Sequence, residues 1–324
     1  MSFPTRREFL LAAAAAVDRR KLLDRMQLVT GPLPKGRRGR PDTVIDETAE
    51  FPGFTRRKIR YRSEGDDWVP AFLFLPKRAG PAAAMLCLHQ TVRLGKGEPA
   101  GLGGNPNLHY ARELAERGYV ALAPDYPNFG DYAFDPYAHG YASATMKGIW
   151  NHRRAVDLLE SMPEVERRSI GSIGHSLGGH NTLFVGVFDT RLRALVTSCG
   201  FTSFGRYKGG NLTGWSHKGY MPRIAERYGK DPARMPFDFP ELLATLAPRA
   251  LFINAPVGDS NFDITGVREC VEFAGQVYAG ERLVAVHPDC GHEFPPEIRS
   301  QAYDFLDRFL GLTSPGHAPR SRRR

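Results

Sequence analysis

A chain of 324 residues, 42% apolar and 24% charged, has the composition of a soluble globular protein with apolar mass enough for one large α/β domain. Its formal net charge of +9 sits at the ends: residues 1–40 hold ten Lys/Arg against three Asp/Glu, and residues 312–324 hold four Arg and no acid. The ends together carry +11 and leave −2 for the body, which excludes a basic stripe across a folded face and with it a nucleic-acid partner.

At the start, Thr5-Arg6-Arg7-Glu8-Phe9-Leu10-Leu11, five alanines and Val17 form the pattern of a twin-arginine export signal, with small residues at Ala14 and Ala16 suited to cleavage and a periplasmic destination implied. The apolar run Phe9–Val17 is too short to span a bilayer, so no stable membrane anchor is expected. Asp18-Arg19-Arg20-Lys21-Leu22-Leu23-Asp24-Arg25-Met26 also fits the continuation of one amphipathic surface helix in a cytoplasmic protein, and both readings stand for the extension 1–55. Cys87, Cys199, Cys270 and Cys290 show no CxxC spacing and read as reduced structural thiols.

From Phe54 the punctuation becomes regular. Two lead strands, Arg56–Arg62 and Val69–Leu75, turn at Glu64-Gly65-Asp66-Asp67. Strand then alternates with helix: Ala83–His89, a helix at Asn105–Arg117 stopped by Gly118, Tyr119–Ala123, a helix near Ser143–Met162, and Arg168–Ile173. Leu192–Ser198, Ala250–Asn254 and Leu283–His287 follow, and a helix from Pro295 to Leu310 closes the fold. Eight strands, the last six separated by helices or crossovers, imply a mostly parallel sheet with helices on both faces, over residues 56–311. Residues 201–247 form a cap-like insertion after the sixth strand, and 312–324 a basic disordered tail.

The centre of this pattern is Gly174-His175-Ser176-Leu177-Gly178, where an apolar strand breaks into a sharp turn and then helix formers. A nucleophilic serine needs such a turn: it lifts the hydroxyl of Ser176 above the sheet, while the flanking glycines let strand and helix approach closely. The first N–H groups of the following helix point at any oxyanion formed there.

Taken with the strand order, the segments Cys87-Leu88-His89-Gln90-Thr91, Ala123-Pro124-Asp125-Tyr126, Gly174–Gly179, Asn254–Asp259 and Cys290-Gly291-His292 resemble the α/β-hydrolase superfamily over Arg56–Leu310. Within it the chain is similar to the bacterial esterases that include acetyl xylan esterases and dienelactone-hydrolase-like proteins. It differs from dienelactone hydrolases proper in carrying Ser176 where they use cysteine, and His89-Gln90 stands where His-Gly is usual. In the order of this fold, Asp259, after the strand Ala250–Asn254, is the acid, and His292, between the last strand and the final helix, is the base. The nearby Asp263 is placed to cap a helix instead, and His287 to face the core. The oxyanion donors are expected at the backbone of Leu177 and of Thr91 or Gln90, with His89 bracing their loop.

His89, His175 and His180 fall at one end of the sheet, but their spacing matches no zinc pattern, and neither metal nor cofactor is expected. Aromatic residues of the loops 126–141 and 201–247, Tyr126, Trp215 and Tyr220 among them, are candidates for binding substrate, although an insertion of that length also needs a small core of its own. The expected function is a serine carboxylester hydrolase working through an acyl-enzyme, on short-acyl or carbohydrate esters. The alternatives are a serine exopeptidase of prolyl-oligopeptidase type, for whose N-terminal propeller some 55 residues leave no room, and a catalytically silent fold used for binding.

Overall fold

The computed structural model describes residues 17–36 and 39–311; the arginine pair and alanine run of the export reading and the basic tail 312–324 lie outside them. Asp18 caps the first helix, α1 (Arg19–Thr30), by accepting the Arg20 N–H at 2.8 Å. Leu22, Met26 and Val29, at the spacing of one helix face, are fully buried.

The sheet has nine strands among the described residues, one more than the sequence pattern implies. The addition is β1 (Thr43–Glu50), inside the segment expected to be an extension. It pairs antiparallel with β2 (Phe54–Glu64) at the sheet edge and is largely exposed. Its partner strand holds it partly by charge: β2 is rich in Arg and Lys, β1 in acids, and Arg60 grips Asp46 at 2.8 Å. A strand with no buried face has no apolar alternation to betray it.

Next come β3 (Asp67–Pro76), β4 (Ala82–Leu88), β5 (Val120–Pro124), β6 (Val165–His175), β7 (Leu192–Ser198), β8 (Ala250–Asn254) and β9 (Leu283–Val286). The spatial order is β1-β2-β3-β5-β4-β6-β7-β8-β9, antiparallel as far as the β3–β5 pair and parallel from β5 to β9. Every residue of β4, β5 and β8 is buried, as a parallel sheet covered on both faces requires. One face is covered by α2 (Tyr110–Glu116) and by the closing helix, α8 (Pro296–Leu310). The other is covered by α3 (Ala144–Ser161), α4 (Leu177–Phe188), α6 (Phe239–Leu246) and α7 (Ile264–Gly275).

Residues 201–247 divide in two. The stretch through the short helix α5 (Arg223–Tyr228) lies over the strand ends, whereas α6, capped by Asp238, is the crossover helix that delivers the chain to β8. The insertion has no separate core, for Phe204, Trp215, Phe237 and Phe239 join Phe184 of α4 and the buried face of α1 in one apolar cluster.

Candidate active site

Ser176 stands between β6 and α4 with φ +53° and ψ −117°, a conformation that a residue with a Cβ adopts only under constraint. The constraint comes from close packing on either side. A Cβ on Gly174 would lie 2.2 Å from the Gly178 carbonyl carbon, and one on Gly178 would lie 1.8 Å from the Leu88 oxygen, so both positions require glycine for β4, β6 and α4 to meet. The turn is fixed from the next strand as well, because the Ser176 N–H donates to the Ser198 carbonyl at 2.8 Å.

His292 lies beyond β9, and its Nδ1 approaches the Asp259 carboxylate at 2.9 and 3.0 Å. The Asp259 side chain is 2% exposed. Burial raises its pKa, but the His292 hydrogen bond and charge, the Asn261 N–H and the Cys199 thiol outweigh that and hold the carboxyl below its ordinary value. Asp263 does something else: its Oδ1 accepts from the N–H groups of Thr265 and Gly266 at the start of α7. The His292 ring meets that of His175, the neighbour of Ser176, edge-on at 4.8 Å and faces Phe262 at 5.9 Å. Ser176 and Phe262 share a small cavity of about 40 Å³ with Leu177, His180, Tyr207, Gly214, Trp215 and Tyr220.

The same architecture recurs in solved proteins. A glucuronoyl esterase from Solibacter usitatus superposes with a TM-score of 0.68 over 91% of this chain and 93% of its own, at 18% identity. The chain has the α/β-hydrolase fold. A family model described as "Glucuronyl esterase, fungi" matches residues 129–280. A Bacillus subtilis protein named as a hydrolase, YtaP, is 26% identical over 263 residues, 76% of this chain and 85% of its own. The 4-O-methyl-glucuronoyl methylesterase of Hypocrea jecorina is 24% identical over 55% of this chain and 43% of its own.

In this fold the loop after β4 is braced from below. The Tyr126 N–H donates to His89 Nε2 at 3.0 Å, so Nδ1 carries the proton and donates to the Gln90 carbonyl at 2.6 Å. That carbonyl also accepts from the Val92 N–H, and Thr91 meets the overlying insertion through Oγ1 and the Tyr220 hydroxyl, 2.9 Å apart. Of the three aromatic candidates, Trp215 and Tyr220 line the cavity. Tyr126 does not: its ring is buried against Leu177 and Ala144, and its hydroxyl donates to the Gly219 carbonyl. It supports the insertion rather than the ligand. His287 is half-buried just past β9, where its Nδ1 meets the Ala255 carbonyl at 2.9 Å.

Sequence reasoning missed His180 as a cavity residue. It is 1% exposed, its ring lies 4.7 Å from that of Trp215, and neither of its nitrogens has a partner among the described residues. Burial lowers its pKa to about 3, so the imidazole is neutral. Its place one turn after Ser176 on α4 was the available signal. The histidines do not gather as their positions in the sequence imply; His175, Cys199 and His292 do, with ligand atoms within 4.8 Å of one another. His292 Nδ1 is engaged by Asp259 and His175 Nδ1 by Ser198 Oγ at 2.8 Å, and Asn254 ties Ser198 to the Glu293 carbonyl. This network fixes the His292 loop to the ends of β7 and β8.

Proposed function

We propose that Ser176, His292 and Asp259 are the nucleophile, base and acid of a serine carboxylester hydrolase acting on carbohydrate esters. The observation that carries the reading is the Asp259–His292 pair set beside a serine on a constrained turn. Because Asp259 engages Nδ1, the tautomer that donates there leaves Nε2 as the basic nitrogen. Nε2 takes the Ser176 proton as Oγ attacks the ester carbonyl, and returns it to the departing alkoxide. The acyl-serine is then cleaved by water activated in the same way. The tetrahedral oxyanion is met by the N–H of Leu177, in the first turn of α4, and by the N–H of Thr91 or Gln90, a loop whose carbonyl side is already held by His89.

The cavity beside Ser176 supports a small group on one side of the scissile bond. About 40 Å³ suits an acetyl or a methoxy group. The names of the relatives, which include glucuronoyl and methyl esterases, support a sugar on the other side. The deciding experiment is a panel of acetylated sugars, methyl esters of glucuronate, and p-nitrophenyl esters. Turnover of the sugar esters with kcat/KM falling steeply from C2 to C12 p-nitrophenyl esters is expected, and comparable values on C2 and C12 would overturn the small-group assignment. Export through Arg6-Arg7 would place this activity where extracellular glycans are met.

A further inference from the structure

Opposite the active site, at the beginnings of the parallel strands, the protein opens a cleft of about 650 Å³. Arg193 is the second residue of β7, Arg249 immediately precedes β8, and Arg282 immediately precedes β9. With Ala194 paired to Ala250 and Leu251 to Leu283, register puts the three cations at nearly one level on adjacent strands, spaced by roughly 5 Å per strand. Arg19, from the start of α1, and Arg308, from the last turn of α8, complete the lining.

Five arginines thus line one space, and no acidic residue lines it with them. Among the described residues only Arg308 of the five forms an ion pair, with Glu281. Arg249 is 8% exposed and spends its donors on the carbonyls of Gly186, Asp189, Leu192 and Leu246, which fixes it at the floor. The Asp189 carboxylate, whose charge acts on Arg249 and Arg19, is also held by Arg191 at 2.6 Å. Arg193 and Arg282 are exposed. Like charges held together this way repel unless an anion joins them.

We propose that this cleft binds an acidic oligosaccharide, the carboxylates of its uronate residues meeting the arginines. The hydroxyls of Thr190 and Thr245 and the apolar ring of Pro248 supply what a sugar ring needs besides charge, while Phe309 carries the Arg282 guanidinium over its ring at 5.2 Å. Arg19 opens α1 and Arg308 lies in the last turn of α8, so the first and the last helix both reach this cleft. The choice of a glycan over other polyanions rests on the carbohydrate-esterase reading. A strand of five residues separates the two ends of the sheet by roughly 17 Å, so the cleft anchors a polymer and takes no part in the chemistry.

Calorimetry with the full-length protein tests this, using a uronate-bearing xylo-oligosaccharide, a neutral xylo-oligosaccharide of equal length, inorganic phosphate and a short DNA duplex. Expected is binding of the acidic glycan alone, weakened about tenfold or more by Arg193→Glu with Arg282→Glu, both exposed positions, while turnover of p-nitrophenyl acetate stays unchanged. Equal binding of the neutral glycan, tighter binding of DNA or phosphate, or no loss in the double variant would each overturn the proposal. If p-nitrophenyl acetate and sugar esters are not hydrolysed while the acidic glycan still binds, the esterase reading fails and the cleft stands.

Discussion

Thr91 and Tyr220, 129 positions apart in the chain, meet through Oγ1 and a phenolic hydroxyl at 2.9 Å, which joins the loop after β4 to the insertion over the strand ends. Tyr220 lines the cavity beside Ser176. The bond therefore couples the loop proposed to hold the oxyanion to the wall of that cavity. Tyr220→Phe should lower kcat/KM about 3- to 10-fold, the worth of one hydrogen bond. Thr91→Val should match it. Steady-state kinetics of the two single variants and the pair provide the check: a double variant no worse than either single one is expected, and additive losses would show that the two residues act separately.

Asp259, the proposed acid, and Asp263, the helix cap, are separable by mutation. Asp259→Asn should cut kcat by roughly 10³- to 10⁴-fold with little change in Tm, through the wrong imidazole tautomer. Asp263→Asn should leave kcat nearly intact, because asparagine also caps a helix. Penalties in the reverse order would assign the acid to Asp263.

Ser176, the proposed nucleophile, also carries a constrained backbone. Ser176→Ala should abolish hydrolysis by about 10⁴-fold or more while the fold persists. Ser176→Gly should be as inactive yet more stable by about 1 kcal/mol, since glycine occupies φ +53° without the penalty. Thermal unfolding of the two variants beside the parent measures the difference, and a Tm for Ser176→Gly below that of Ser176→Ala would argue against strain at this turn.

Buried histidines make stability depend on acidity, and burial lowers the pKa of His89 as well as those of the three that follow. Burial lowers His152, His175 and His180 to about 3, so the folded protein keeps them neutral while the unfolded chain protonates them near 6.5. Unfolding then takes up protons between those values. The contribution is fully present above pH 6.5 and is lost as pH falls toward 3, by about 2 kcal/mol per histidine at pH 5. Denaturant unfolding across this range should show an uptake approaching three protons, and His152→Leu should remove about one of them.

Export predicts cleavage close to Ala16 and dependence on Arg6 and Arg7. Cleavage there would leave Asp18, the cap of α1, in the mature chain. Sequencing of the mature N-terminus from the native host is the measurement; an uncleaved chain in the cytoplasm would assign the segment to a helical extension.

Gly174, Ser176 and Gly178 were legible from residues alone because a strand-to-helix turn has a local pattern, even though Gly174 is demanded by Gly178 four residues on and Gly178 by Leu88 of β4. The parallel strands were legible for a similar reason, since burial on both faces makes them continuous apolar runs. The edge strand Thr43–Glu50 was not, because nothing buries it and its hold on β2 is partly ionic.

Only the tertiary structure decided what meets what across the strand ends. The Asp259–His292 bond joins residues 33 apart, and the role of His180 depends on Trp215 and Tyr220 folding over it from the insertion. Charge shows the same limit. Summing the sequence assigns the basic excess to the two tails, yet Arg193, Arg249 and Arg282 stand together because the register of β7, β8 and β9 aligns their starts. Composition is a sum over the chain, whereas an electrostatic field depends on distance, and distance is set by strand pairing.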